Sequence, residues 1–151
     1  MKVMIVGCGR VGSRLALRLE RGGHEVVVVD ENREALAGLG GDFRGATFQG
    51  NGLDSPILRR AGIETCDVVV AVTGGDNRNL MIVQLAKASF ERERVVARLK
   101  DPVRAAKYRE MGVETLCVTT VIEGLLELWT QNGAFPELPG EASVSGDASD
   151  L

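Results

Sequence analysis

Residues 2–12, KVMIVGCGRVG, are followed at residues 25–30 by EVVVVD, and these two stretches carry the strongest signal of the fold. Val3 to Val6 form a short apolar run rich in β-branched side chains, which suits a buried strand. Arg10 to Glu20 then carries Val11, Leu15, Ala16 and Leu19 at helical spacing. Between strand and helix stand Gly7, Gly9 and Gly12, in the G-x-G-x-x-G spacing of a dinucleotide-binding turn. Gly7 suits a tight turn, Gly9 lets backbone approach a pyrophosphate, and Gly12 lets the helix pack on the sheet. Free N–H groups at the helix N-terminus then face the phosphate.

The second stretch adds weight, because a glycine motif alone is a weak signal. It reads as another buried strand and ends in Asp30, the acid expected roughly 20 residues after the glycines. A carboxylate there accepts hydrogen bonds from both ribose hydroxyls of an adenosine and repels a 2′-phosphate, which disfavours NADP. The rival reading makes Asp30 a cap for a helix beginning near Asn32.

Outward from this unit the alternation continues. A helix is expected near 32–40, a strand near 46–50, a helix from Ser55 to Ala61 and a strand at DVVVAV from Asp67. A long helix from Asn77 to Phe90, a strand RVVARL, a helix from Pro102 to Met111 and a strand ETLCV complete the set. The expected fold is α/β, a Rossmann-like doubly wound parallel sheet of six strands. It occupies residues 1–118, with a C-terminal helix within 119–133 and a tail or linker at 134–151. The helix, Val121 to Gln131, places Val121, Leu125, Leu128 and Trp129 on one face, which is expected to pack on its own sheet or on a second subunit. The tail, rich in Pro, Gly, Ser and acid, has little to bury and is expected to be disordered.

With 151 residues, 44% of them hydrophobic, the chain is long enough for one well-buried domain. No apolar run approaches the roughly 20 residues of a membrane span, and the N-terminus lacks a signal-peptide layout, so a cytoplasmic protein is expected. A formal net charge of −3 with dispersed arginines argues against nucleic acid as a partner. Cys8, Cys66 and Cys117 are too far apart for a zinc site or a disulfide framework. Cys8 alone invites attention, since a thiol at a helix N-terminus can have a depressed pKa. His24 sits in the polar corner before the second strand and is assigned no chemistry.

Ligands of an open parallel sheet bind at the carboxyl ends of its strands. The loops expected there are Gly7 to Gly12, Asp30-Glu31, Gly50-Asn51-Gly52, Thr73-Gly74-Gly75-Asp76 and Arg98 to Asp101. Asn51 either hydrogen-bonds an adenine edge or belongs to a plain turn. Thr73 and Gly74 either close over the adenosine or end a strand. Arg10, in the first turn of the helix, and Arg98, at the end of an apolar strand, are candidates for ligand phosphates. A dehydrogenase would need a substrate domain and a proton-transfer residue beside the nicotinamide. Neither is evident, so no catalytic residue and no metal ligand is assigned.

The stretches GCGRVGSRLALRLERGGHEVVVVD, GNGLD, LRRAGIETCDVVVAVTGGDNRNLMIVQLAK and VVARLKDP resemble the N-terminal nucleotide-binding domain of Trk/Ktr-type potassium-uptake regulators, the KTN or RCK domain. The likeness extends over residues 1–132. It rests on Arg10 within G-x-G-R-x-G, on Asp30, on Ala71 to Thr73 with Asn79 in the following helix, and on Arg98 before Asp101-Pro102. The resemblance implies a non-enzymatic cytoplasmic subunit that assembles as homodimers or larger rings beneath a membrane potassium channel or transporter. It implies that NAD(H) or an adenine nucleotide (ATP, ADP or AMP) gates ion flux, and that the final helix crosses to a neighbouring protomer. The implied ligand-binding set is Gly7, Cys8, Gly9, Arg10, Val11, Gly12, Asp30, Glu31, Asn51, Gly52, Thr73, Gly74 and Arg98. Where some members carry Pro-Glu in a loop after the sixth strand, this chain has Val118-Thr119, and it stops short of the second ligand-binding domain such regulators usually carry. The alternative of another class is an NAD-dependent oxidoreductase fragment without its catalytic domain.

Overall fold

A computed structural model of the chain describes residues 1–138. Six strands, β1 (Lys2–Val6), β2 (Glu25–Asp30), β3 (Ala46–Gln49), β4 (Val68–Ala71), β5 (Val95–Leu99) and β6 (Thr115–Cys117), form one sheet in the order β3-β2-β1-β4-β5-β6. Every pairing is parallel. The helices are α1 (Arg10–Arg21), α2 (Arg33–Ala37), α3 (Ser55–Arg60), α4 (Asp76–Phe90), α5 (Pro102–Glu110) and α6 (Val118–Asn132), with a 3-10 turn at Ile63–Thr65.

Alternate side chains of each inner strand enter opposite faces of the sheet, which is why the strands read as unbroken apolar runs. Met4, Val6, Val27 and Val29 pack with Leu58, Ile82, Val83 and Ala105, beneath α3, α4 and α5. Val3, Ile5, Val26 and Val28 pack with Ala16 and Leu36, beneath α1 and α2. Each fully buried side chain of this size stabilises the fold by about 1.5–3 kcal/mol.

The register sets the site. Val6 pairs with Val29 on one side and with Ala71 on the other. Ala71 pairs in turn with Ala97, and Asp30 with Gln49. The chain therefore leaves β1, β2, β3, β4 and β5 at one level, and Gly7, Asp30, Gly50, Thr73 and Arg98 emerge along a single rim. The order reverses direction between β1 and β4, where such sheets open a crevice.

Several boundaries differ from the sequence expectation. The second helix is only five residues long, because Gly38 caps it and Gly40, at φ +81°, turns the chain away. Strand β3 stops at Gln49, and Gly50 donates its N–H to the carbonyl of Asp30. The expected loop at Val118-Thr119 does not form. Strand β6 passes directly into α6, since no glycine, proline or asparagine interrupts the sequence from Cys117 to Val121.

The chain divides into two compact units at Val118/Thr119. In α6 no residue is buried, and the apolar side chains Val121, Ile122, Leu126, Leu128 and Trp129 are exposed. Gly133, at φ +70°, ends the helix, and the ring of Phe135 stacks on that of Trp129 with centroids 6.3 Å apart. Beyond Leu138 the expected tail lies outside the described residues.

Candidate functional site

The glycine loop is built by contact between backbones. Gly7 adopts φ +111°, and a Cβ placed on it would lie 2.7 Å from the Thr73 nitrogen. A Cβ on Gly12 would lie 1.8 Å from the Gly7 carbonyl oxygen, so α1 starts in direct contact with the turn that precedes it. Gly9 differs from both: a Cβ there would meet no atom within 4 Å. It is also the N-cap of α1, and no side chain caps that terminus. In α2 and α5, by contrast, Asn32 and Asp101 accept first-turn N–H groups. The first-turn donors of α1 and the positive end of its dipole are left to the crevice.

Asp30 braces this loop. One of its carboxylate oxygens accepts the Cys8 N–H at 2.6 Å and the other accepts the Asn32 N–H at 2.7 Å. The helix cap itself is Asn32, whose side-chain oxygen accepts from Glu34 and Ala35. Each oxygen of Asp30 retains a lone pair for a further donor. The Cys8 thiol points away from this edge and donates to the Ala35 carbonyl at 3.3 Å. Burial, and then the neighbouring Asp30 carboxylate, push its pKa up, opposite to the shift a helix N-terminus alone would give. Cys8 thus contributes a backbone N–H that holds Asp30 in place.

A cavity of about 420 Å³, within the usual range for small-molecule sites, occupies the crevice. Gly7, Gly9, Arg10, Val11, Asp30, Glu31, Gly52, Thr73, Gly74 and Arg98 of the expected residues line it together. Cys8, Gly12 and Asn51 do not. Gly12 lies behind the loop, and the Asn51 side-chain oxygen accepts the Leu53 N–H at 2.9 Å, closing its own turn. Charge is divided across the cavity. Asp30 and Glu31 mark one end, while Arg10 and Arg98 approach from the helix and from β5. Among the described residues neither of those guanidinium groups has a hydrogen-bond or ion-pair partner.

Sequence reasoning missed Val6, Val29, Asn32, Ala35, Val72 and Arg78, all of which line the cavity, while Gly50 lines it from a loop already expected there. Val6, Val29 and Val72 stand at or next to strand ends exposed to it by the shared register. Arg78 had a readable signal, since it stands in the first turn of the helix after the fourth strand, as Arg10 does after the first. Its Nη1 donates to the Glu31 carboxylate at 3.1 Å.

Beneath the rim, Asn79 is 1% exposed and makes four hydrogen bonds. Its Oδ1 accepts from the Thr73 N–H and hydroxyl, and its Nδ2 donates to the carbonyls of Thr73 and Arg98. Asp76 extends the link, accepting from the N–H groups of Lys100 and Asp101, while the Lys100 ammonium donates to the Gly74 carbonyl. The loops after β4 and β5 are therefore tied to each other.

The family model described as the TrkA-N domain matches residues 3–119. The Trk system potassium uptake protein TrkA of Streptomyces coelicolor is 40% identical over 137 residues, covering 90% of this chain and 61% of that protein. The chain thus spans about three-fifths of the length of that relative. Among solved structures, the AMP-bound Kef C-terminal domain of Shewanella denitrificans superposes with a TM-score of 0.71 at 23% identity, covering 89% of this chain and 83% of that one. GsuK bound to ADP gives 0.74 at 19% identity, covering 88% and 34%. The GsuK channel bound to NAD gives 0.67 at 20% identity, covering 80% and 22%. At these identities the structures speak for a shared fold.

Proposed function

Because this chain belongs to the TrkA-N domain family, we propose that it is the nucleotide-binding regulatory domain of a potassium-uptake system, and that an adenine nucleotide, NAD(H) or ATP, ADP or AMP, is its effector. The observation that carries this reading is the crevice at the β1/β4 reversal. A helix N-terminus with no side-chain cap and two arginines without a side-chain partner among the described residues face it, together with the acid Asp30. Phosphates would sit on the N–H groups of Gly9 to Val11, within reach of Arg10 and Arg98, and ribose hydroxyls would donate to Asp30. Among the described residues no histidine, lysine or tyrosine lines the cavity, which supports a binding role over hydride or proton transfer.

The partner under this reading is a membrane potassium channel or transporter subunit, reached by a domain in which no described helix is long and apolar enough to cross a membrane. A second copy of the chain would cover the apolar stripe of α6. Gating follows from differential binding: an effector that prefers one arrangement of paired domains shifts them toward it, and the pore responds to that shift.

The test is thermal stabilisation by NAD⁺, NADH, ATP, ADP and AMP, repeated on Asp30→Ala. A ligand at a hundredfold excess over its Kd stabilises the native state by about 2.7 kcal/mol. A rise in Tm with at least one nucleotide, abolished in Asp30→Ala, is expected. No rise with any of them ends the reading.

A further inference from the structure

Arg10, Arg78 and Arg98 all line the crevice, yet among the described residues only the guanidinium of Arg78 is paired. Its partner, Glu31, follows β2, while Arg78 is the third residue of α4, which follows β4. Strand β1 runs between those two strands. The 3.1 Å contact therefore bridges the carboxyl end of the strand that carries the glycine loop. Two strand spacings amount to about 10 Å, a span that only two long side chains reaching toward each other close.

We propose that Arg78 is a base-stacking residue of this site: Glu31 holds its guanidinium plane at the rim, and the flat base of a bound nucleotide rests against that plane. The proposal rests on the reading of the crevice as a nucleotide site and specifies what holds the base. Ribose at Asp30 and phosphates at the glycine loop leave the base on the side of Glu31, the next residue along. Among the described residues no aromatic side chain lines the cavity, so none of them offers a base a ring to stack on. A guanidinium offers a planar, weakly hydrated face that stacks on π systems, which an ammonium does not. Pairing favours this role over phosphate binding. The Glu31 carboxylate offsets the charge of Arg78 and fixes its orientation, whereas Arg10 and Arg98 keep their full charge for an anion.

Calorimetric titration of ADP and NAD⁺ into the wild-type chain, R78K, R78Q and E31Q separates planarity from charge. Lysine keeps the charge without the plane, and glutamine keeps a plane without the charge. R78K is expected to weaken binding about tenfold, R78Q less than R78K, and E31Q about threefold as the plane is released. A loss in R78Q equal to or greater than that in R78K overturns stacking and makes Arg78 a phosphate ligand. Affinities in R78K and R78Q that match the wild type make the Glu31 pair an ordinary surface contact and likewise end the proposal. Failure of the wild-type chain to bind either nucleotide is a different result, since it removes the nucleotide site itself.

Discussion

Asn79 and Arg98 are joined by a 2.8 Å hydrogen bond from the side-chain amide of the first to the main-chain carbonyl of the second. The same amide group also holds the Thr73 backbone and hydroxyl, so one buried side chain fixes the ends of β4 and β5 relative to each other. That ties Arg98 and Thr73, which both line the crevice, to each other through their main chains.

Replacing Asn79 by leucine keeps the volume but leaves the Thr73 N–H and two carbonyls without partners in a buried setting. The expected loss is about 3 kcal/mol or more in urea unfolding. Asn79→Asp is expected to destabilise comparably, because a carboxylate accepts from Thr73 yet donates to neither carbonyl.

Two glycines of one motif separate stability from binding. Gly12→Ala forces a methyl against the Gly7 carbonyl 1.8 Å away, and α1 has to shift, so unfolding free energy should fall by about 2 kcal/mol or more. Gly9→Ala meets no protein atom within 4 Å, and its effect on stability should stay within about 1 kcal/mol. Its nucleotide-dependent rise in Tm should nevertheless shrink, because the added methyl occupies the approach to the helix N-terminus.

Arg10→Ala and Arg98→Ala remove guanidinium groups that have no hydrogen-bond or ion-pair partner among the described residues. Stability should change by no more than about 0.5 kcal/mol. Nucleotide affinity should fall about tenfold in each, as expected for a charge-assisted contact to phosphate. Titrations at two salt concentrations check the assignment, since each variant should show a weaker dependence on ionic strength than the parent.

Burial pushes the Cys66 thiol up from 9.0 to about 11. Between these values the unfolded chain releases a proton that the native chain keeps. The stabilisation is therefore complete below pH 9 and is lost as the pH rises toward 11. The loss attributable to Cys66 is on the order of 2 kcal/mol. Urea midpoints at pH 8 and pH 10.5 measure it, and Cys66→Ala should show a flatter decline than the parent.

The strands and the glycine loop were legible because their signals are local. Four apolar residues in a row mark Val26 to Val29 as a strand buried on both faces, and the spacing of Gly7, Gly9 and Gly12 is dictated by the backbone of a single turn. Asn51 was harder to read. A short amide in a glycine-flanked loop finds its own main chain first, and its oxygen closes a turn with Leu53. The Val118-Thr119 pair reads as a loop in the sequence, but β-branched residues are tolerated in a helix whose neighbours continue its pattern, and α6 starts at Val118. The pairing of Arg78 with Glu31 escaped because the two are 47 residues apart in sequence. Only the strand order brings them together, and no periodicity encodes that.

The outermost strands of the sheet, β3 and β6, are four and three residues long. An edge this short exposes few unpaired N–H and C=O groups, so it offers little template for another chain to add a strand. The sheet is in this sense closed to growth, which guards a hydrophobic α/β domain against edge-to-edge aggregation. Any contact between copies would then fall to side-chain surfaces such as the exposed apolar residues Val121, Ile122, Leu126, Leu128 and Trp129 of α6.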